Sequence, residues 1–337
     1  MMSWSGRAAL SLVLVTGVLA GVGSAARADD AGSCVVNYQT VGRSVVVGFG
    51  LEIPYPNLAG GPYAETELNA IPKSYALASN AHEGSLGEIV LGNSGGAYPE
   101  NPSQAKSYYP VPEGEKASVK REQGPFANTA AETGPGVARA MATAFGGGSP
   151  QMGLGPSRAE AASRFTGKVL SGHDESVGYD LHLGAARINM LRASVDYSTD
   201  GTETGTIGTW KLEFFGIHNA DQSPGAFTGD GIVVQGGAPQ PGAGGREQFN
   251  GGVAQLSDAL QKAGIGRLEV VVDPGSVSIS AGNLQVSGAG FTVRAQPAPT
   301  EGTSAHATSL TFGHIDRTAR MELGSCDSSV ESSGSGA

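Results

Sequence analysis

Apolar and polar residues alternate through the middle of this chain, and this alternation constrains the fold more than any other feature. At residues 159–169 the odd positions are mostly apolar and the even ones mostly polar, and the same two-residue period runs through 177–183 and 210–214. Successive side chains of a β-strand point to opposite faces of the sheet, so this period is typical of strands with one buried face. The pattern predicts a mainly β protein of antiparallel sheets in a sandwich-like arrangement.

Two local signals refine this prediction. The apolar positions change from even to odd between Met190 and Leu191, and a slip of one residue within a strand predicts a β-bulge. Asp200-Gly201 follows as a turn signal, and the alternation returns at Trp210. We therefore expect two paired strands that turn at Asp200.

Glycine and proline mark the expected interruptions of the sheets. Glycine supplies 53 of the 337 residues, about twice its usual share, which favours many turns and closely packed strands. Residues 92–156 are rich in glycine, proline and polar residues, and we expect a long irregular excursion there. Apolar residues recur at helical spacing over residues 249–260 and predict one short helix, while residues 136–145 are a poorer candidate for a second.

The N-terminus has the layout of a secretory signal peptide. Arg7 is the only charged residue before an apolar run at residues 8–22, and Ala26-Arg27-Ala28 offers small residues at a cleavage site. The run is shorter than the roughly 18 residues of a membrane-spanning helix. We expect residues 1–28 to be removed after Ala28; an uncleaved short anchor is the alternative.

The mature chain is expected to form a single β-rich domain at residues 29–326, followed by a flexible polar tail at residues 327–337. No later apolar stretch is long enough to span a membrane, so no transmembrane segment is expected after signal removal. Removing the signal takes away Arg7 and Arg27 and no acid, which lowers the net charge from −10 to −12. An acidic chain without a basic stripe is a poor nucleic-acid binder, because phosphate neutralisation supplies most of that affinity.

Two cysteines, Cys34 and Cys326, stand near the two ends of the mature chain. In an exported chain an even pair usually forms a disulfide, whereas a metal or redox role needs more ligands or a closer pair. We expect one intramolecular disulfide between them. The enclosed loop is so long that chain-entropy estimates reach roughly 5–6 kcal/mol.

Several short segments in the second half of the chain resemble segments of known proteins. They lie at residues 187–190, 210–217, 231–234, 256–265 and 309–313. Through them, residues 155–325 resemble exported proteins of high-GC Gram-positive bacteria that are similar to the choice-of-anchor P type of surface protein. The resemblance implies an extracellular β protein with a structural or surface role, and it supplies no catalytic residues.

One string suggests a catalytic serine. Gly92-Asn93-Ser94-Gly95-Gly96 resembles the nucleophile motif of trypsin-like serine proteases, in which glycines let the backbone form an oxyanion hole. That family places its histidine and aspartate far upstream, whereas here the only histidine before Ser94 is His82, twelve residues away. A turn in a glycine-rich loop explains the string, and no catalytic residue is predicted.

A second string suggests calcium. Asp196, Ser198 and Asp200 offer side-chain oxygens at alternate positions, and Thr202 follows Gly201 with a backbone carbonyl. The twelfth position is an isoleucine rather than a bidentate glutamate, so the string is not an EF-hand. Calcium held by Asp196, Ser198, Asp200 and Thr202 is one interpretation; an Asp-Gly hairpin that binds no metal is the other. No other cofactor is expected.

These observations lead to three functional hypotheses. The preferred one is an exported structural or interaction protein of the cell surface or secreted fraction, without catalysis, whose partner is a cell-envelope component or another secreted molecule. The first alternative is an extracellular binding module for a glycan or peptide, stabilised by calcium. The second is a hydrolase whose paired carboxylates the sequence does not mark. Aligned aromatic rings on a sheet face would favour the binding module.

We predict that the exported protein contains one bond between Cys34 and Cys326. Peptide mapping without reductant should recover the two linked peptides, and reduction should lower Tm because the unfolded chain gains conformational freedom. The Cys34→Ser/Cys326→Ser double variant, whose Tm should not respond to reductant, is the control. Two free thiols in protein taken from the medium would contradict the prediction.

Overall fold

The computed structural model describes residues 33–51, 59–71, 73–80, 104–122, 127–148, 152–183, 186–219, 232–235, 238–241, 267–273, 276–296 and 308–325. Within these ranges the chain is mainly β, with no helix, and its sheets are antiparallel as predicted. The predicted signal peptide, the helix expected at residues 249–260 and the tail at residues 327–337 lie outside the described residues.

The described chain contains twenty strands. In chain order they are β1 (Ser33–Leu51), β2 (Ala59–Gly60), β3 (Tyr63–Asn69), β4 (Lys73–Ser79), β5 (Gln104–Tyr109), β6 (Ser118–Glu122), β7 (Asn128–Gly134), β8 (Val137–Ala144), β9 (Gly147–Gly148), β10 (Met152–Leu154), β11 (Ser157–Phe165), β12 (Leu170–Leu183), β13 (Ala186–Thr199), β14 (Ile207–Asn219), β15 (Ile232–Gln235), β16 (Ala238–Pro241), β17 (Arg267–Asp273), β18 (Ser276–Ser280), β19 (Asn283–Gln296) and β20 (Thr308–Ser325).

Most strands belong to two large sheets. The first sheet has the order β17-β19-β20-β1-β3-β4-β5, with β18 beside β19 and β2 beside β1. The second has the order β14-β13-β12-β11-β8-β7-β6, with β10 beside β12 and β9 beside β10. A separate pair joins β15 and β16. The sheets pack face to face, with β3 lying on β8 and β11, and β20 on β12 and β13.

The layer between the two sheets is built largely from small residues. One apolar cluster joins residues of both sheets, with Leu68 and Ile315 on one side and Ile188 and Trp210 on the other. Alanine fills much of the remaining space, at Ala64, Ala76, Ala78, Ala105, Ala131, Ala138, Ala140, Ala142, Ala159, Ala161, Ala193 and Ala319. Because a methyl group occupies little depth, the two backbones can approach closely.

Buried hydroxyl groups bond across this narrow layer. Ser44 Oγ donates to the carbonyl oxygen of Glu175 at 2.7 Å, and Ser176 Oγ donates to that of Val45 at 3.2 Å. A side-chain hydroxyl can reach a backbone carbonyl of the opposite sheet only where the two strands lie close together. These bonds also satisfy polar groups that would otherwise be costly to bury.

The two ends of the described chain lie side by side. β1 pairs with β20 from Ser33 opposite Ser325 to Leu51 opposite Thr308. Cys34 lies opposite Gly324, two positions before Cys326 in the chain. Cys326 lies outside the described residues, so the disulfide stays a prediction that this pairing favours.

The irregular excursion expected at residues 92–156 is wrong for its described part. Strands β5 to β10 all fall within that segment, and β7 and β8 lie in the interior of the second sheet. The inward positions of these strands are alanine, serine and threonine, as at Ala131, Thr129 and Ser107. Such residues give little hydrophobic contrast, so the two-residue period is faint in the sequence.

The second helix expected at residues 136–145 is also wrong, because β8 occupies Val137–Ala144. Ala138, Ala140 and Ala142 are fully buried at alternate positions. Alanine favours helices intrinsically, but pairing with β7 and β11 on both sides overrides that preference. Gly136, with φ of 75°, forms the tight turn from β7 into β8.

The bulge predicted between Met190 and Leu191 is absent from the described ladders of β13, which keeps one register with β12 and one with β14. The irregularity lies instead at Asp180 on β12, where φ is 49° and the opposite pairing with Asn189 is missing. At this point the buried positions change parity on both strands, from Gly178 to Leu181 on β12 and from Ile188 to Leu191 on β13, without an extra residue. Register shifts do occur where β1 and β19 pair with β20.

We predict that Gly172→Ala lowers the free energy of unfolding by about 1–3 kcal/mol, because a methyl group has no room in this narrow layer. Its Cβ would lie 2.5 Å from the carbonyl oxygen of Ala162 and against the ring of Tyr197. Urea denaturation measures the change. Gly134→Ala is the matched control, since no atom lies within 4 Å of its added Cβ. Equal stability of the two variants would contradict the prediction.

Candidate functional site

The residues of the predicted calcium site lie along one strand and its turn. Asp196 Oδ1 lies 2.7 Å from Nδ1 of His173. Asp200 Oδ1 accepts hydrogen bonds from the backbone N–H and the hydroxyl of Thr202, at 2.9 and 2.7 Å. Asp196 and Ser198 are two residues apart on β13, which separates them by roughly 6.6 Å. Asp200 thus closes the turn, and calcium binding stays a prediction.

Proton binding at His173 depends on its contact with Asp196. Burial is the largest single influence and disfavours the charged imidazolium, but the hydrogen bond and charge of Asp196, together with the charges of Asp174 and Glu160, raise the pKa of His173. A protonated ring would form an ion pair with that carboxylate.

Other sequence-based candidates fall outside the described chain. Ser94 and His82 lie in residues 81–103, which are not described. Within the described ranges, no three His, Cys, Asp or Glu side chains form a group that could hold a metal ion. No helix there is both long and apolar enough to cross a membrane.

A charge pair is buried between the two sheets. Arg317 on β20 and Asp174 on β12 both have completely buried side chains. Arg317 Nε donates to Asp174 Oδ2 at 2.5 Å, and its Nη2 donates to Oδ1 of the same carboxylate. This two-point contact is the strongest arrangement that the two groups can form. The pair therefore fixes one sheet against the other.

The remaining donors of Arg317 also have partners. Nη1 donates to Thr40 Oγ1 at 3.0 Å and to Ser163 Oγ at 2.8 Å, and Nη2 donates to the carbonyl oxygen of Ala162 at 3.2 Å. The Tyr197 ring lies 5.1 Å from the guanidinium carbon, and its hydroxyl donates to Thr40 Oγ1. The cation is thus fully hydrogen-bonded and also contacts an aromatic face.

Burial disfavours the ionised form of the Asp174 carboxyl group in this cluster. It raises the pKa of Asp174 to about 6, although Arg317 acts in the opposite direction. The carboxyl group therefore binds its proton more tightly in the folded chain than in the unfolded one. By linkage, the stability contributed by this group falls as the pH rises from about 4 to about 6. Apolar residues can often replace a buried ion pair without loss of stability, so we expect the pair to act mainly on how the two sheets align.

The next residue along β12 organises charge on the opposite face of the second sheet. Glu175 is almost completely buried, and its carboxylate pairs with Arg158 and Arg192. Nη1 of Arg192 also lies 3.2 Å from Oε2 of Glu213 on β14. These pairs join β11, β12, β13 and β14 across the outer face of the sheet. Their charges are thus partly neutralised within the sheet itself.

A row of side chains crosses the outer face of the first sheet. In order across β18, β19, β20, β1, β3, β4 and β5 it consists of Ser278, Gln285, Thr318, Val41, Glu67, Tyr75 and Tyr108, each directly opposite the next. Neighbouring positions such as Thr40, Thr66, Ala76 and Ser107 are fully buried. The row therefore points away from the second sheet, because side chains alternate along a strand. We call it the cross-sheet row.

One end of the cross-sheet row opens into a polar depression with a volume of about 310 Å³. Its lining includes Ser278, Gln285 and Thr318 from the row, and Gln39, Asn283 and Arg320 beside them. All six of these residues are exposed. The Arg320 guanidinium forms an ion pair with Glu322. Amide and hydroxyl groups therefore dominate the hydrogen-bonding capacity of this depression.

The other end of the cross-sheet row carries two aromatic rings. The centroids of Tyr75 and Tyr108 are 5.2 Å apart, with the planes inclined at 39°. Both residues are half-buried. Tyr75 packs against a small apolar cluster of Val45, Tyr63 and Leu77 on the same outer face. Burial raises the pKa of the Tyr108 phenol above its ordinary value.

The sequence alone did not indicate this surface. Tyr108 lies in the segment that was expected to be irregular, and Tyr75 is separated from it by more than thirty residues of chain. Only the register between β4 and β5 brings the two rings together. An aromatic residue on each of two paired strands was the one available signal.

Comparison with family models, with curated proteins and with solved structures found no match to this chain.

We predict that Arg317→Met lowers the free energy of unfolding by about 3–5 kcal/mol, because Asp174 loses its buried ionic partner. Denaturant titration at pH 7 measures the change. Arg139→Met is the control, because Arg139 pairs with Glu160 but its side chain is 57% exposed, and its loss should cost less than about 1 kcal/mol. Similar costs for the two variants would contradict the role of the buried pair.

Proposed function

We propose that this chain is an exported structural or interaction protein of the cell surface or secreted fraction, and that its partner contacts the outer face of the first sheet. The proposal joins the signal-like N-terminus, the paired cysteines expected at the two ends and the acidic composition with the fold of the described residues. The cross-sheet row is the observation on which it depends.

The row is suited to contact because it is continuous and chemically varied, with Ser278, Gln285 and Thr318 exposed and its other four residues half-buried. It places hydroxyl, amide, carboxylate and phenol groups on neighbouring strands, and its backbone groups are already paired in the sheet. A surface held by strand pairing can meet a partner without first becoming ordered, so little conformational entropy opposes binding.

The charged residues on the outer face of the second sheet pair with one another. Glu175 draws Arg158 and Arg192 together, and Arg139 pairs with Glu160 on the same outer face. These contacts use much of the charge of that face to connect its own strands. The outer face of the first sheet also carries ion pairs, at Arg43–Glu65 and Arg320–Glu322. The polar depression and the tyrosine pair, and not the charges, therefore favour the first sheet as the partner-facing side.

We predict that a photoreactive benzoylphenylalanine at Thr318 will crosslink the mature chain to a component of the native cell envelope. Benzophenone inserts into nearby C–H bonds, so either a protein or a polysaccharide would be captured. Excess unlabelled mature chain should compete. The matched control carries the same residue at Lys168, which is exposed in the turn between β11 and β12.

Crosslinks at Thr318 that exceed those at Lys168 and disappear with competitor would support the proposal. Equal labelling at both positions, or none at Thr318, would contradict a partner-facing first sheet. Recovery of the protein in the cytoplasmic fraction with its N-terminal residues intact would contradict export.

A further inference from the structure

We propose that the cross-sheet row and the polar depression together bind one neutral glycan chain that lies across the strands. This inference rests on the proposed interaction function and assigns the chemical class of its ligand.

The dimensions of the surface favour a polymer. The row crosses seven strands, and six inter-strand steps of about 4.8 Å give a length of roughly 29 Å. The depression, at about 310 Å³, lies at the small end of the range for ligand pockets. It would therefore hold one segment of a longer ligand, and the rest would follow the row.

The chemistry of the depression matches a polyhydroxyl ligand. Gln39, Asn283 and Gln285 each carry an amide that both donates and accepts hydrogen bonds, and Ser278 and Thr318 carry hydroxyl groups that do the same. Each sugar hydroxyl is likewise a donor and an acceptor. A lining of amides and hydroxyls can therefore satisfy several sugar hydroxyls at once.

The tyrosine pair supplies the second kind of contact that a sugar needs. The face of an aromatic ring is negative, and it attracts the slightly positive C–H groups of a pyranose. Tyr75 is held by the apolar cluster of Val45, Tyr63 and Leu77. Its ring is therefore positioned before the ligand arrives, which lowers the cost of binding.

Glu67 is the only charged residue of the row, and Arg43 beside the row is already paired with Glu65, so the row itself favours a neutral glycan over an acidic one. Glu67 lies at the centre of the row, between Val41 and Tyr75. Arg320 in the depression is paired with Glu322. An anionic polymer would meet the carboxylate of Glu67 on a mature chain whose net charge is expected to be −12.

The same surface fits a peptide less well. Extended peptides commonly bind by adding a strand to a sheet edge, where backbone groups are free. The row crosses the face of the sheet, and β19, β20, β1, β3 and β4 are each paired on both sides. A peptide would therefore gain only side-chain contacts there.

The test is an array of neutral and acidic oligosaccharides of increasing length, with a matched array of peptides, probed with the mature chain. Neutral oligosaccharides should bind, and affinity should rise with length until the chain reaches both ends of the row. Tyr75→Ala/Tyr108→Ala and Gln39→Ala/Gln285→Ala should each weaken binding about tenfold.

Two control variants separate a binding role from a folding role. Tyr75→Phe/Tyr108→Phe keeps both rings and should keep most of the affinity. Tyr179→Ala removes a tyrosine that is 46% exposed on the second sheet, and it should leave binding unchanged. Thermal melting of each variant identifies any that fail to fold.

Binding to no neutral glycan, a preference for acidic glycans or peptides, or equal losses in the Tyr179 variant would overturn the inference. If Thr318 still crosslinks an envelope protein in that case, the proposed interaction function stands and only the glycan assignment fails. If neither experiment gives a signal at the first sheet, both proposals fail.

Discussion

The bond between Arg317 and Asp174 can form only when the two sheets lie face to face in one register. Both side chains are completely buried, and a buried charge without its partner is among the most costly defects that a protein can contain. A shift of either sheet by one residue would turn one of the two groups toward solvent and leave the other alone in the interior. The pair thus excludes alternative packings that small apolar residues by themselves would tolerate.

The outer surfaces follow from this inner constraint. Once Thr40 and Thr66 face inward, their neighbours Val41 and Glu67 must face outward, because side chains alternate along a strand. Strand pairing then aligns these outward positions from one strand to the next. On the second sheet, Asp174 pairs with Arg317 between the sheets, and Glu175 pairs with Arg158 on the outer face. A single register therefore determines the core and both exposed faces.

The sequence predicted the parts of this fold that have strong local contrast. The alternation at residues 159–169 correctly indicated β11, where small residues such as Ala159 and Ala161 face inward. The alternation at residues 177–183 indicated a strand at β12 but not its faces, because Asp174 is buried there and Tyr179 is exposed. It did not indicate β5 to β8, where alanine, serine and threonine fill the inward positions and the contrast is weak. The expected helix at residues 136–145 failed for the same reason, since alanine suits both helix and a closely packed strand.

Neither the buried ion pair nor the candidate surface could be predicted from local pattern. Arg317 and Asp174 are 143 residues apart in the chain, and no periodicity within one segment can reveal such a pair. The tyrosine pair depends in the same way on the register between β4 and β5. Local pattern can also suggest a site by spacing alone. The residues at 196–202 have the spacing of a calcium-binding loop, but Asp196 and Ser198 lie on an extended strand.

The small, hydroxyl-rich interior also bears on how this protein responds to temperature. The heat capacity change on unfolding rises with the apolar area exposed and falls with the polar area exposed. An interior of alanine, serine and threonine, with a buried ion pair, exposes less apolar and more polar surface than one of leucine and phenylalanine. Its heat capacity change per residue should therefore be small, and its curve of stability against temperature broad and flat. Such a curve keeps a protein folded through large swings of temperature without requiring high stability at any one of them.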